Sequence, residues 1–379
     1  MSVYLDHAAT SHPKPEGVLK AMTAALTDYN ANPGRSGHPR AVAAARQVLK
    51  TREALAKLLG AADAMSVVHA FNCTDALNLA IKGSLRAGDH VITTKLEHNS
   101  VLRPLCGLSS RGRIALTLID PRPDGFVDPD DIAAAITDRT ALIVCTHASN
   151  VTGAIQPVAA IGRLAKNRGI RFLIDGAQAL GGLPVDVEAL NCDLYAFPGH
   201  KSLLGPQGTG GLYIRPGLRL FTLREGGTGS ASDSMLQPEE LPERYEAGTV
   251  NLPGIAGLGA GVEYITPRLS QIMTHERELT GALMEGLAAI PGAVLYSPKE
   301  EAARAGIVSF NVGDLSSSQA ADALASAGFD VRGGLHCAPG AHQFLGTLRR
   351  GAVRASVGHA TTFEEIDRFI TAVRHLGPH

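Results

Sequence analysis

No surplus of either charge runs through this sequence: 35 Lys and Arg face 36 Asp and Glu, for a net charge of −1. A chain without a basic excess has little with which to neutralise a phosphate backbone, so no nucleic-acid partner is expected. No stretch of about 18 consecutive apolar residues occurs, so no transmembrane helix and no membrane partner are expected. The first residues, Met1 to His7, lack a basic segment followed by an apolar run, and no signal peptide is expected there. The five cysteines, Cys73, Cys106, Cys145, Cys192 and Cys337, are odd in number, widely spaced and without a C-x-x-C pair. That excludes a disulfide framework and the usual zinc-ribbon patterns, and leaves no metal site to expect. A reducing, cytoplasmic location follows as the expectation. Internal repeats and low-complexity tracts are missing too.

What is present is ample core-forming material: 379 residues, 45% hydrophobic and only 19% charged. At roughly 100–200 residues per domain this suggests two domains or one large one, and the apolar content argues against disorder. Short runs rich in Val, Ile and Leu predict strands at Met65–Ala70, His90–Thr93, Ile114–Ile119, Ala141–Cys145, Ile170–Ile174, Asp193–Phe197 and Thr209–Ile214. Most do not alternate, as suits strands covered on both faces. Helical stretches at Cys73–Leu85, Ser100–Ser109, Pro129–Ile136 and Pro157–Asn167 lie between several of them. The alternation predicts an α/β layered sheet, mostly parallel. The last two strands leave no room for a crossover helix, so one antiparallel member is expected. Leu223–Gly254 is rich in Gly, Ser, Glu and Pro, and so long an irregular stretch is usually functional. Beyond it, helical Ile255–Ala289, strand Gly306–Val312, helix Ser318–Ala327, strand Val353–Val357 and helix Phe363–Leu376 read as a smaller α+β domain.

Two strand ends carry chemistry. Ile170–Ile174 runs into Asp175-Gly-Ala-Gln178, which puts a carboxylate at the carboxyl edge of the sheet, where open α/β sheets bind ligands. Taken alone, Asp175 reads as a helix cap. Asp193–Phe197 runs into Pro198-Gly-His-Lys201. A partly desolvated lysine there can have a lowered pKa and condense with an aldehyde, whereas a single lysine is ordinarily a solvated surface residue. The nearby glycines fit neither G-x-G-x-x-G nor the P-loop. Together, the Asp, the Gln and the Gly-His-Lys form the arrangement that holds pyridoxal 5′-phosphate (PLP): the lysine carries it as an imine, and the Asp keeps the ring nitrogen protonated so that the ring stores electrons.

These residues, with Leu5-Asp-His-Ala-Ala-Thr10, Asn72-Cys-Thr-Asp-Ala-Leu-Asn78, Glu97-His98, Ser149-Asn150, Glu246-Ala-Gly-Thr249, Arg332-Gly-Gly-Leu-His-Cys337 and Val353-Arg-Ala-Ser356, resemble along nearly the whole chain the class V aminotransferase-fold enzymes, and within them the cysteine desulfurases. The form around Cys337 is similar to the group II, selenocysteine-lyase-like branch. The resemblance implies a PLP-dependent fold type I with a mostly parallel seven-stranded sheet. It implies a large domain over residues 13–262, and a small one from residues 1–12 and 263–379 that carries the cysteine loop. It implies that Lys201 bears the cofactor, that Asp175 pairs with its ring nitrogen, and that His98 stacks on the ring and shuttles protons with a pKa near neutrality. Asn150 and Gln178 would bond its phenolic oxygen. Thr74, next to Cys73 at the opening of a helix, and His200 would hold its phosphate. Thr249 would reach the phosphate of the other subunit, which implies a homodimer. Gly226–Gly229 is expected close by.

Arg354 would pair with the substrate α-carboxylate, with a structural salt bridge as the alternative, and Asn150 would also bind the substrate. Cys337 would be the nucleophile that takes sulfur from L-cysteine as a persulfide, leaves L-alanine, and passes the sulfur to an acceptor thiol or protein. Its glycine-rich loop is expected to be mobile, with His336 and Arg332 as positive neighbours favouring the thiolate. The other four cysteines are expected to be buried and inert. Pro198 stands where many desulfurases have Ser, so a phosphate hydroxyl is lost, and Thr228 or Thr249 is the expected replacement. L-Selenocysteine cleavage, another C–S lyase or aminotransferase activity, and a non-catalytic sulfur-trafficking role are the alternatives.

Overall fold

The computed structural model describes residues 2–376 of the chain. In chain order the N-terminal part comprises β1 (Val3–Tyr4), α1 (Glu16–Thr27), α2 (Pro39–Leu59), β2 (Val67–Ala70), α3 (Cys73–Ser84), β3 (His90–Thr94), α4 (Asn99–Ser110), β4 (Ala115–Ile119) and α5 (Pro129–Ala134). Next come β5 (Thr140–Thr146), α6 (Val158–Asn167), β6 (Arg171–Asp175), β7 (Leu194–Pro198), β8 (Gly210–Ile214), α7 (Leu252–Ile265) and α8 (Leu269–Ala288). The C-terminal part holds β9 (Ala293–Leu295), β10 (Ile307–Val312), α9 (Ser317–Ser326), β11 (Phe329–Asp330), β12 (Arg332–Gly334), α10 (Pro339–Phe344), β13 (Ala352–Ser356) and α11 (Phe363–Arg374).

The seven expected strands form one sheet in the order β2-β8-β7-β6-β5-β3-β4. Only β8 runs against its neighbours, β2 and β7. This is the expected antiparallel member, and its cause is the helix-free link from β7. Leu142, Ile143, Val144 and Cys145 on β5 are all fully buried, because helices cover both faces, and alternation is lost for that reason. The parallel strands β2, β3, β5, β6 and β7 all end at one edge, which places the loops after them side by side.

A second, antiparallel sheet, β12-β13-β10-β9, lies apart from the first. Its core of Leu279, Leu283, Phe310 and Phe369 takes in Val3 of β1 and Leu5 just after it, and β1 pairs with β11 in parallel. The single helical region expected over Ile255–Ala289 is two helices separated by a turn of 3-10 helix at Thr266–Arg268. Pro267 has no N–H to carry the α-helical bonding through that turn. The irregular segment ends at Leu252, where Asn251 caps α7 by accepting a bond from Gly254 N. No helix of the described residues is long and apolar enough to cross a membrane.

Candidate active site

The shared strand edge opens into a cleft of about 790 Å³ of non-protein space. Thr74, His98, Asn150, Asp175, His200 and Lys201 line it from the ends of β2, β3, β5, β6 and β7 or the helices that follow, and Cys73, Gln178 and Arg354 join them. Asp175 is the last residue of β6. Its Oδ1 accepts a bond from Ala177 N at 3.0 Å and lies 3.6 Å from Cys73 Sγ. The helix-cap reading of Asp175 is therefore not observed: it closes a turn. Burial raises its pKa, opposed by the Ala177 bond and the Lys201 charge. Lys201 is pulled down to about 8 by burial and by repulsion from Arg354, against the attraction of Cys73 and Asp175.

The anion-binding end differs from expectation in detail. Asn72, not Thr74, caps α3, by accepting a bond from Asp75 N at 2.9 Å. The Thr74 hydroxyl is 2.7 Å from Ser100 Oγ instead. Ser100, unmarked in the sequence reading, lies in the first turn of α4 and also lines the cleft. The two helix N-termini and their two hydroxyls thus converge at one end of the cleft. Thr228 is a half-buried loop residue outside this cleft, its hydroxyl 3.2 Å from Ser230 Oγ. Gly226–Gly229 lies beside Thr249 as expected: Gly227 O accepts a bond from Gly248 N at 2.9 Å and another from Arg35 Nη2. Thr249 is likewise outside this cleft and lines a separate hollow with His69, Phe71 and Arg224.

His98 caps α4. Its Nδ1 accepts a bond from Ser100 N at 3.0 Å, so its ring proton resides on Nε2. Burial, then the charges of Lys201 and Arg332, lower its pKa to about 4. The expected near-neutral pKa is thus corrected: His98 is a neutral ring. His200 is also neutral, lowered to about 4 by burial and the charge of Lys201. Gln178 Nε2 donates to Ala8 O at 3.1 Å, and Asn150 Nδ2 donates to His336 O at 2.7 Å.

Arg354 is 1% exposed. Its Nη2 pairs with Asp6 Oδ1 at 2.7 Å and its Nη1 donates to Asn150 O at 3.0 Å. The structural salt bridge is thus present, while Nε remains buried without a partner. Cys337 is exposed and stands just outside the cleft lining, its Sγ 4.0 Å from Nη2 of Arg332, which does line it. One expectation about its loop is corrected: His336 is no positive neighbour, because burial and the charge of Arg354 push its pKa down to about 3. Asn99 N donates to Cys337 O at 2.7 Å. All five cysteines are free. Cys73, Cys145 and Cys192 are buried as expected, but Cys106 is exposed on α4.

A cofactor with an aldehyde, a ring and an anionic group fits this cleft. Lys201 offers an amine of lowered pKa, and the paired helix N-termini with Thr74 and Ser100 suit an anion. The buried Nδ1 of His200 and Nε of Arg354 await partners.

Comparison with known proteins agrees. The family model for aminotransferase class V matches residues 3–369. A probable cysteine desulfurase of Methanothermobacter thermautotrophicus is 36% identical over 96% of this chain and 92% of its own length. A cysteine desulfurase of Salmonella typhimurium is 34% identical over 98% and 93%. The apo cysteine desulfurase of Thermococcus onnurineus NA1 superposes with a TM-score of 0.93 at 34% identity, over 99% of this chain and 94% of that one. The S-sulfonic acid form of the cysteine desulfurase CsdA from Escherichia coli gives a TM-score of 0.89 at 28% identity, over 99% and 94%. The chain belongs to the aminotransferase class-V family, among relatives named cysteine desulfurases.

Proposed function

We propose that this chain is a PLP-dependent cysteine desulfurase that converts L-cysteine to L-alanine and holds the sulfur as a persulfide on Cys337. The observation that carries the reading is the meeting of Lys201, Asp175 and Arg354 in one cleft, with a free thiol at its mouth beside Arg332. Lys201 holds the cofactor's aldehyde, Asp175 its ring nitrogen, His98 its ring face, Asn150 and Gln178 its phenolic oxygen. Thr74, Ser100 and His200 hold its phosphate. When bound, PLP supplies an electron sink next to the substrate Cα.

Arg354 offers its free Nε–H edge to the substrate carboxylate while Asp6 and the Asn150 carbonyl keep the guanidinium in place. Lys201, whose pKa lowered to about 8 makes a neutral amine accessible in mild alkali, would take the Cα proton. The Cys337 thiolate then attacks the substrate sulfur. An S–S bond forms as the C–S bond breaks, and the electron pair stays with Cβ, which accepts a proton to become a methyl group, while Lys201 would return the proton to Cα and complete alanine. Sulfur is oxidised and carbon reduced, so no outside oxidant is needed. An acceptor thiol or protein removes the persulfide.

We read the chain as the two-domain arrangement set out above and as a homodimer. Thr249 lies apart from its own chain's cleft, and Met235 and Leu236 of the same irregular segment are exposed, as a partner-facing segment would be. The test is an assay for sulfide and alanine from L-cysteine, with L-selenocysteine in parallel. The wild type forms both products from L-cysteine, and Cys337→Ala does not. Retained desulfuration of L-cysteine by Cys337→Ala removes the role given to that thiol.

A further inference from the structure

The loop that carries Cys337 rests on a second imidazole that the proposed reaction does not use. His336 and Cys337 are successive residues in the left-handed region, with φ of +48° and +56°. Residues other than glycine resist that conformation, so contacts outside the loop must hold it. The ring of His336 supplies one such hold. Its Nε2 lies 3.1 Å from the carbonyl oxygen of Arg332. A carbonyl only accepts, so the proton is on Nε2 and Nδ1 is bare. His342 Nε2 lies 3.3 Å from that Nδ1 and must donate to it. His342 Nδ1 is then bare in turn and accepts the Thr347 hydroxyl at 2.8 Å. With His342 neutral, as its burial favours, the bonds run one way, from Thr347 through His342 and His336 to the Arg332 backbone, and the bare Nδ1 of His336 requires that ring to be neutral. The two rings meet at 5.5 Å between centroids with planes 25° apart, and His342 is fully buried. Burial lowers both pKa values, to about 3 for His336 and about 4 for His342. The helix that bears His342 is itself fixed, since a Cβ at Gly340 would strike the Lys95 carbonyl.

Building on the desulfurase reading, we propose that His342 is a positioning residue for sulfur transfer: its bond to His336 holds the His336–Cys337 turn so that the thiol stays beside Arg332. The test compares the holoenzyme with His342→Leu, which removes the donor, and His342→Gln, whose amide restores it. Alkylation of Cys337 by iodoacetamide at neutral pH is followed by mass spectrometry, with exposed Cys106 as the internal control. In His342→Leu, Cys337 alkylation slows several-fold because the thiolate loses Arg332 as its neighbour, while Cys106 is unchanged. The kcat for persulfide formation falls about tenfold, as expected for a misplaced nucleophile, while KM for L-cysteine holds. His342→Gln recovers most of both effects.

Equal impairment of the two variants, or unchanged or faster Cys337 alkylation in His342→Leu, overturns the proposal. If His342→Leu does not fold, Thr347→Val carries the test: it removes the first donor of the chain at nearly constant volume, and slower Cys337 alkylation supports the proposal while an unchanged rate overturns it. The alkylation arm needs no turnover. Failure of the desulfurase reading would instead appear as a wild type that makes no alanine.

Discussion

Lys201 shows what a single residue's surroundings decide. Its amine ordinarily titrates near 10.5, but burial and Arg354 bring it to about 8. The neutral amine is the form that condenses with an aldehyde, and a lowered pKa makes that form available at lower pH. Reconstitution of cofactor-stripped protein with PLP, followed by absorbance, should therefore speed up as pH rises through about 8 and level off above it. A midpoint near 10 or higher would contradict the buried setting. At this scale the sequence was most informative where a motif names both residue type and place, as at Asp175, Lys201 and His98. It was least informative about state. The pKa of His98 depends on Lys201 and Arg332, which the fold brings close from distant parts of the chain. Ser100 was missed although it lies two residues beyond His98, because nothing local shows that its hydroxyl meets Thr74 from another helix.

Elements were legible where apolar runs are dense, and the seven central strands come within a few residues of their expected bounds. The helices α1 and α2 went unread, although α2 has end signals: Pro39 in its first turn, and Gly60 at φ +67° as its C-cap. The short strands β1, β9, β11 and β12 hold two or three residues each, too few to show a period. The role of Glu246 was also hidden, since its motif lies in an irregular segment and its partner is on α2. Arg52 Nη1 and Nη2 donate to Glu246 Oε1 and Oε2, each at 2.8 Å, and Glu246 Oε1 also accepts from His69 N. Burial alone would raise the Glu246 pKa, but Arg52 and then His69 outweigh it and the net shift is downward. A depressed carboxylate stabilises the fold fully above its unfolded pKa, and that contribution is lost as pH falls through the lower folded value. Glu246→Ala leaves Arg52 buried without its counter-charge, and the expected loss is about 3–5 kcal/mol in urea unfolding at neutral pH. The difference from wild type should shrink in acid. A loss no larger than that of an exposed pair such as Lys20–Glu16 would show that the clamp does not anchor the segment.

At the scale of the whole molecule, one residue of the motif set lies outside the cleft. Thr249, matched by motif to a phosphate ligand, sits with Gly248 and Asn251 in a hollow of its own. If it serves the other protomer's cleft, lesions in different chains should complement one another. Lys201→Ala abolishes the site in which it lies, and Thr249→Ala weakens the site across the interface. In a mixed dimer of the two variants, one site collects both lesions, while the other has an intact Lys201 and an intact Thr249 from its partner. Random exchange makes half the dimers mixed, each with one sound site, so activity should return to about a quarter of wild type from two poorly active parents. If Thr249 acts within its own chain, every Lys201-bearing site also carries the Thr249 lesion, and mixing restores nothing. Separately tagged chains, co-expressed and purified through both tags, isolate the mixed dimers, which should then show about half of wild-type activity if the site is shared and no gain if it is not, and a chain that sediments as a monomer would remove the shared site altogether.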